Sequence, residues 1–275
     1  MVQYPSANAN ANLKIAHGDS MTYCVGTLTQ AGLVFVSDSR TNAGVDHVAT
    51  FSKMNVFEKE GDRILVLLSA GNLAVTQAVV SHLREDIRNN QQPHLFSVTS
   101  LFTAAQVIGQ AIRKVWESDG KYLEEFATTF VASFIFGGQI KSEHPRMFLV
   151  YNAGNFIEAC SDTPFFQIGE TKYGKPILDR VIHHQSSLLE CAKCTLISFD
   201  STIRSNISVG LPLDILIYAR DRLQVGFYRR ITHEDDYFRA LGQAWSDGLR
   251  KVFKEIQSPD WLEQDMVAKV FAEPV

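Results

Sequence analysis

The chain has 275 residues, 45 % of them apolar and 20 % charged, with a net charge of −4. That length buries a large core, in one big domain or two small ones. The mildly acidic balance leaves no basic footprint for nucleic acid, and no apolar run approaches the ~18 residues of a membrane helix.

Residues 1–20 carry Ala-Asn repeats and lack the apolar core of a secretory signal, so they read as a disordered extension. Tyr23 to Thr29 and Leu33 to Ser37 are β-prone runs joined by Gln30-Ala31-Gly32, a hairpin signal. Lys53 to Glu58 and Arg63 to Ser69 form a second strand pair across Glu60-Gly61-Asp62. Ile64 to Leu68 is continuously apolar, which predicts a strand covered on both faces.

After Gly71 the period changes to that of a helix. Leu73, Val80, Leu83 and Ile87 line one face of a helix from Asn72 to Arg88, with Asn72 as its cap. Leu101, Ala105, Ile108, Ile112 and Val115 mark a second. Strands return at Phe130 to Gly137, Arg146 to Tyr151 and Phe156 to Cys160, with turns expected at Gly137-Gly138 and at Asn152 to Gly154.

Thr171 to Ile182 and Ser186 to Phe199 predict another helix pair, with a short third helix from Ser201. Pro212 to Tyr218 and Leu223 to Phe227 are late strands around Arg220-Asp221. Tyr237, Leu241, Trp245, Leu249, Val252 and Ile256 mark a last helix. Strands grouped with strands favour antiparallel sheets. Two sheets between two helix layers is the economical packing, in one domain with no linker or repeat.

The four cysteines, Cys24, Cys160, Cys191 and Cys194, form no disulfide framework in a chain this long, so the expected compartment is the cytoplasm. Cys191 and Cys194 make a lone C-x-x-C, and with no second pair at ligand spacing no metal or other cofactor is expected.

One order of residues carries chemistry. Thr22 opens the first strand, Ser37-Asp38-Ser39-Arg40-Thr41 follows, then Lys53, then Ser69-Ala70-Gly71. Asp38 stands sixteen residues after Thr22 and Lys53 thirty-one. With MTYCVG from Met21, SDSRTNAGVDH from Ser37, SAGNLA from Ser69, GETKYGK from Gly169 and STIRSNISVG from Ser201, this order resembles the proteasome-type N-terminal-nucleophile hydrolases, in particular their bacterial homologues. The resemblance covers residues 21 to about 250.

It implies an α+β fold, a four-layer αββα sandwich of two antiparallel sheets between helix layers, and self-assembly into a homo-oligomeric ring or open spiral. It also implies a threonine peptidase acting on peptide or unfolded protein. Thr22, as the first residue of the mature chain, would be the nucleophile and its free α-amine the base. Such an amine has a pKa of about 7.7–8, so part of it is unprotonated at neutral pH.

Lys53 would lower the pKa of both hydroxyl and amine, Asp38 would hold Lys53, and the Gly71 N–H would stabilise the oxyanion. Asn42 and the side chains of Thr41 and Leu73 would line the substrate cleft. Cys24, two residues inside the strand and without an adjacent free amine, reads as packing.

The departures point to weak or unusual activity. Lys53 is one residue closer to the threonine than is typical, which a shorter turn over 42–47 would absorb. The aspartate and serine that support the amine in proteasomes fall here on Ser205 and Ser208, so the carboxylate is missing. Glu170 stands where a serine is usual. Two alternatives follow: a proteasome-fold scaffold with little hydrolysis, and an amidohydrolase of the same superfamily acting on a small amide.

Residue 21 is Met where proteasome precursors have glycine. Methionine aminopeptidase would expose Thr22 if translation began at Met21. Gly18-Asp19, encodable as a GGAGAT resembling a ribosome-binding site, fits that start. The expected units are an extension over 1–21 absent from the working protein, a catalytic domain over 22–257, and a tail over 258–275.

Overall fold

The computed structural model describes residues 22–42 and 48–262. The first hairpin joins β1 (Tyr23–Thr29) to β2 (Gly32–Asp38), with Cys24 opposite Ser37 and Thr29 opposite Gly32. Every residue of both strands is buried, because each strand is packed on both faces. Tyr23, Val25, Val34 and Val36 face a helix layer, while Cys24, Leu33 and Phe35 face the second sheet. The alternation is the two-residue period of a strand.

A short ribbon of β3 (Arg40–Asn42) and β4 (Val48–Thr50), not foreseen from the sequence, leads into β5 (Met54–Lys59) and β6 (Arg63–Gly71). The predicted two-sided burial of β6 holds. Ile64, Val66 and Leu68 pack between the sheets, and Leu65 and Leu67 pack under helices.

Those helices are α1 (Leu73–Arg88) and α2 (Leu101–Glu125). Asn72 caps α1 as expected, its side chain accepting from the amides of Ala74 and Val75. β7 (Ala132–Ile140), β8 (Arg146–Val150) and β9 (Phe156–Glu158) complete the second sheet, in the order β5-β6-β7-β8-β9.

Gly137 and Gly138 lie inside β7, not in a turn. A Cβ on Gly138 would sit 2.0 Å from the Ile64 carbonyl oxygen, and one on Gly137 would sit 2.9 Å from the Phe35 ring. Glycine there permits close approach of strand and sheet.

The chain then returns to the first sheet through β10 (Phe165–Gly169), an edge strand beside β1 that the sequence reading omitted. Helix α3 spans Lys175–Val181, shorter than expected. Helix α4 spans Leu188–Ser205 without a break, which removes the separate helix expected from Ser201. Strand β11 (Leu213–Ala219) lies against β2, and β12 (Phe227–Ile231) begins where the expected late strand ends. Helix α5 spans Asp236–Glu255.

The first sheet runs β10-β1-β2-β11-β12, and every strand pair in both sheets is antiparallel. Three apolar layers result: α1 and α2 on the second sheet, sheet on sheet, and α3, α4 and α5 on the first. This is the expected αββα sandwich. No helix among the described residues is long and apolar enough to cross a membrane.

Candidate active site

Thr22 heads β1, which lies between two other strands, so the chain is gripped from both sides where the strand starts. The Glu170 amide, just past β10, donates to the Thr22 carbonyl at 2.7 Å. The next amide, that of Tyr23, donates to Asp38 Oδ1 at 3.0 Å. Thr22 itself is buried.

The same Asp38 oxygen accepts from Lys53 Nζ at 2.8 Å, and Lys53 Nζ also donates to the Arg40 carbonyl at 2.7 Å. One carboxylate oxygen therefore ties the lysine to the first peptide unit after Thr22. The pair is dry, with Asp38 fully buried and Lys53 nearly so.

Burial pushes the Asp38 carboxyl up to about 6; the Lys53 ammonium and the amides of Tyr23 and Gly210 pull the other way. The lysine backbone is fixed as well, its carbonyl accepting from the Ser69 amide at 3.0 Å. Neighbouring Ser52 donates to Asp214 Oδ2 at 3.1 Å.

Gly71 ends β6 with φ +120°, a conformation that favours glycine. A Cβ there would lie 2.2 Å from the Val131 carbonyl oxygen. Helix α1 begins two residues later, so the positive end of its dipole and its first amides lie at this corner. Thr22, Lys53 and Gly71 line one cleft of about 670 Å³, and Leu73 lies on its wall as expected.

Ser208 does not line that cleft. It lies on the loop between α4 and β11, where its amide donates to Asn206 Oδ1 at 2.9 Å. Ser205 is exposed at the end of α4. The loop is linked to the site through Glu170, whose carboxylate accepts from Asn206 Nδ2 at 3.0 Å while its amide holds Thr22.

The structure thus gathers Thr22, Asp38, Lys53 and Gly71 and leaves Ser208 to one side. The Arg40 carbonyl and Asn206 were missed. Neither has a sequence signal, since one is backbone and the other acts across a non-local contact. The side chains of Thr41 and Asn42, residues 43–47 where a shorter turn was expected, residues 1–21 and the tail beyond 262 lie outside the described residues.

Cys24 is fully buried between the sheets, its thiol donating to the Ser69 carbonyl at 3.7 Å. Burial and the nearby Asp38 charge push that thiol well above its ordinary value, so it packs as an inert apolar group. Cys191 and Cys194 are buried on α4, their thiols likewise raised by burial. Among the described residues no group of three or more His, Cys, Asp or Glu side chains is placed to hold a metal ion.

Helix–sheet–sheet–helix layering with a threonine at the head of a central strand is the architecture of proteasome-type β-subunits. No family model matches the chain, and no curated protein does. Solved structures do. A Gly-1 mutant of Anbu from a Hyphomicrobium species is 52 % identical, over 87 % of this chain and 99 % of that one, with a TM-score of 0.81.

Anbu from Yersinia bercovieri, described as an ancestral beta-subunit, is 46 % identical over 87 % of this chain and 100 % of its own, with a TM-score of 0.82. The Pseudomonas aeruginosa protein, solved as a helical assembly of the Anbu complex, is 46 % identical over 86 % and 98 %, also at 0.82. The chain belongs to the Anbu family.

Proposed function

We propose that this chain is a threonine peptidase of the proteasome type, working in a homo-oligomer and using Thr22 as an N-terminal nucleophile. The observation that carries this reading is the single Asp38 oxygen joining the Lys53 ammonium to the Tyr23 amide. It locks the one lysine that lines the cleft among the described residues to the strand end that bears the threonine.

The hydroxyl proton passes to the α-amine, directly or through a water, and the threonine oxygen attacks the peptide carbonyl. The lysine charge lowers the pKa of hydroxyl and amine together. The Gly71 amide, at a corner where no side chain fits, takes the developing oxyanion. The amine returns its proton to the leaving group, and water hydrolyses the resulting ester. Asp38 touches no reacting atom; it keeps Lys53 charged and oriented.

This chemistry needs Thr22 to be the first residue. We therefore include removal of residues 1–21 in the proposal, whether by a start at Met21 or by processing. Assembly follows the helical arrangement named for the Pseudomonas relative. The cytoplasm is the compartment proposed.

The test compares three proteins on a peptide panel: the full-length chain, the chain beginning at Thr22, and the latter with Thr22→Ala. Hydrolysis is expected in the second alone. Equal rates in all three would refute the mechanism.

A second reading, a scaffold of the same fold with little hydrolysis, is favoured by one observation. Ser205 replaces the expected carboxylate, and Glu170, which could substitute for it, is engaged by Asn206. Inactivity of the Thr22-first protein toward both peptides and small amides would select it. Turnover of small amides alone would select an amidohydrolase.

A further inference from the structure

The wall of the cleft has a charge pattern that the catalytic residues do not explain. Leu73, Thr76, Gln77, Val80, Ser81 and Arg84 line it together. Their spacing of three and four residues places them on one stripe of α1. The stripe starts at the Gly71 corner and ends at the Arg84 guanidinium.

That guanidinium is exposed to solvent and has one side-chain partner among the described residues. Arg84 Nη2 donates to Asn55 Oδ1 at 2.8 Å, and Asn55 is on the same wall. Asn55 follows Lys53 by two residues in extended chain, so both side chains leave the same face, roughly 7 Å apart along the strand.

The partner is a neutral amide. Among the described residues no carboxylate pairs with Arg84, and none lines this cleft. The lining therefore carries the Lys53 ammonium, already paired with Asp38, and the Arg84 guanidinium, which no carboxylate offsets, with hydroxyls and amides between them. An apolar side chain entering there would strip water from the guanidinium donors that Asn55 does not take and offer no acceptor in return. An acidic one would complete a charge-assisted pair.

We propose that this cleft selects peptides with a carboxylate side chain, glutamate above all, on the acyl side of the scissile bond, with Arg84 as the specificity-determining residue. This rests on the cleft being the peptide site. With the carbonyl carbon at Thr22, the preceding side chain runs along α1 toward Arg84. Glutamate reaches further than aspartate by one methylene, toward the guanidinium donors that Asn55 leaves open. Lysine in that position is repelled.

The test separates binding from chemistry. Fluorescein-labelled tetrapeptide amides ending in Glu, Leu or Lys are titrated by anisotropy against the Thr22→Ala protein, which cannot turn them over. The Glu peptide is expected to bind about tenfold tighter than the Leu peptide, a partly solvated charged hydrogen bond being worth about that much. The Lys peptide should bind weakest.

Arg84→Gln should make Glu and Leu equal, and Arg84→Glu should reverse the order of Glu and Lys. Raising salt from 0.05 to 0.5 M should compress the preference in the native sequence. Leu or Lys binding as well as Glu overturns the proposal. So does a Glu preference that survives Arg84→Gln, or no binding by any peptide. A Glu preference in a protein that hydrolyses nothing would leave this inference standing and remove the peptidase reading. Hydrolysis without the preference would do the reverse.

Discussion

Two buried carboxylates sit on neighbouring strands of the first sheet, and they are held differently. Asp38 on β2 faces Leu213, and Asp214 on β11 faces Ser37, so the two are one register step apart. Asp214 takes four donors: both ends of the Arg230 guanidinium at 2.8 Å each, the Tyr228 hydroxyl at 3.0 Å and the Ser52 hydroxyl at 3.1 Å. Asp38 takes an ammonium and a backbone amide on a single oxygen.

The two grips converge on adjacent residues, Ser52 and Lys53. A bidentate guanidinium makes a stiff, always-charged anchor. An ammonium is a compact point charge, and at Asp38 burial outweighs its pull, leaving the carboxyl at about 6. The difference teaches that one pair fastens the chain segment and the other joins the lysine of the cleft to the strand headed by Thr22.

The contrast can be broken at several points. Lys53→Ala should have the largest effect, lowering peptide hydrolysis by about a thousandfold. It also leaves Asp38 buried without its counter-ion, for a stability loss of about 3 kcal/mol read from urea denaturation. Hydrolysis within tenfold of the unmutated rate would make the lysine structural. Asp214→Ala should show the opposite profile. It should cost about 3 kcal/mol in the same denaturation, since it abandons Arg230, Tyr228 and Ser52 together, while hydrolysis falls less than tenfold.

Next comes pH. Burial raises Asp38 to about 6 from an ordinary carboxyl value of about 4 in the unfolded chain. Between those values the folded chain binds more protons than the unfolded one. This group therefore adds stability as pH falls through that window and subtracts it above. If the proposed mechanism holds, hydrolysis needs the ionised carboxylate and should drop about tenfold per pH unit below about 6. Stability and activity then move in opposite directions, measured as the difference between the native sequence and Asp38→Asn in urea midpoint and in rate. Parallel changes would contradict the assignment.

Arg230→Lys is expected to be the smallest perturbation. It trades two parallel hydrogen bonds for one and costs about 1 kcal/mol, with no change in rate.

How much could be read beforehand differs between these regions too. The order Thr22, Asp38, Lys53, Gly71 was visible through the sequence blocks that resemble the proteasome-type hydrolases, and strand pattern alone would not have singled it out. The hairpin of β1 and β2, the two-sided burial of β6 and the Asn72 cap follow from local pattern alone. The Asp214 anchor was invisible, since its four donors come from two chain segments, β12 and Ser52, far from each other in sequence.

Strand β10 was missed for a related reason. Phe165–Gly169 is short, and its partner β1 lies about 140 residues earlier in the chain. The glycine pair in β7 misled because glycine marks both turns and close sheet contacts, and only packing against Ile64 and Phe35 distinguishes them. Arg84 carried no signal in the sequence, because its place on the cleft wall depends on the non-local contact with Asn55.

The most direct measurement treats the chain beginning at Thr22 with a β-lactone that acylates nucleophilic hydroxyls, then maps the adduct by peptide mass. The account requires one acyl group, on the Thr22 hydroxyl, lost in Lys53→Ala and retained in Asp214→Ala. An adduct on any other residue, or an unmodified Thr22 in a correctly folded assembly, would contradict it.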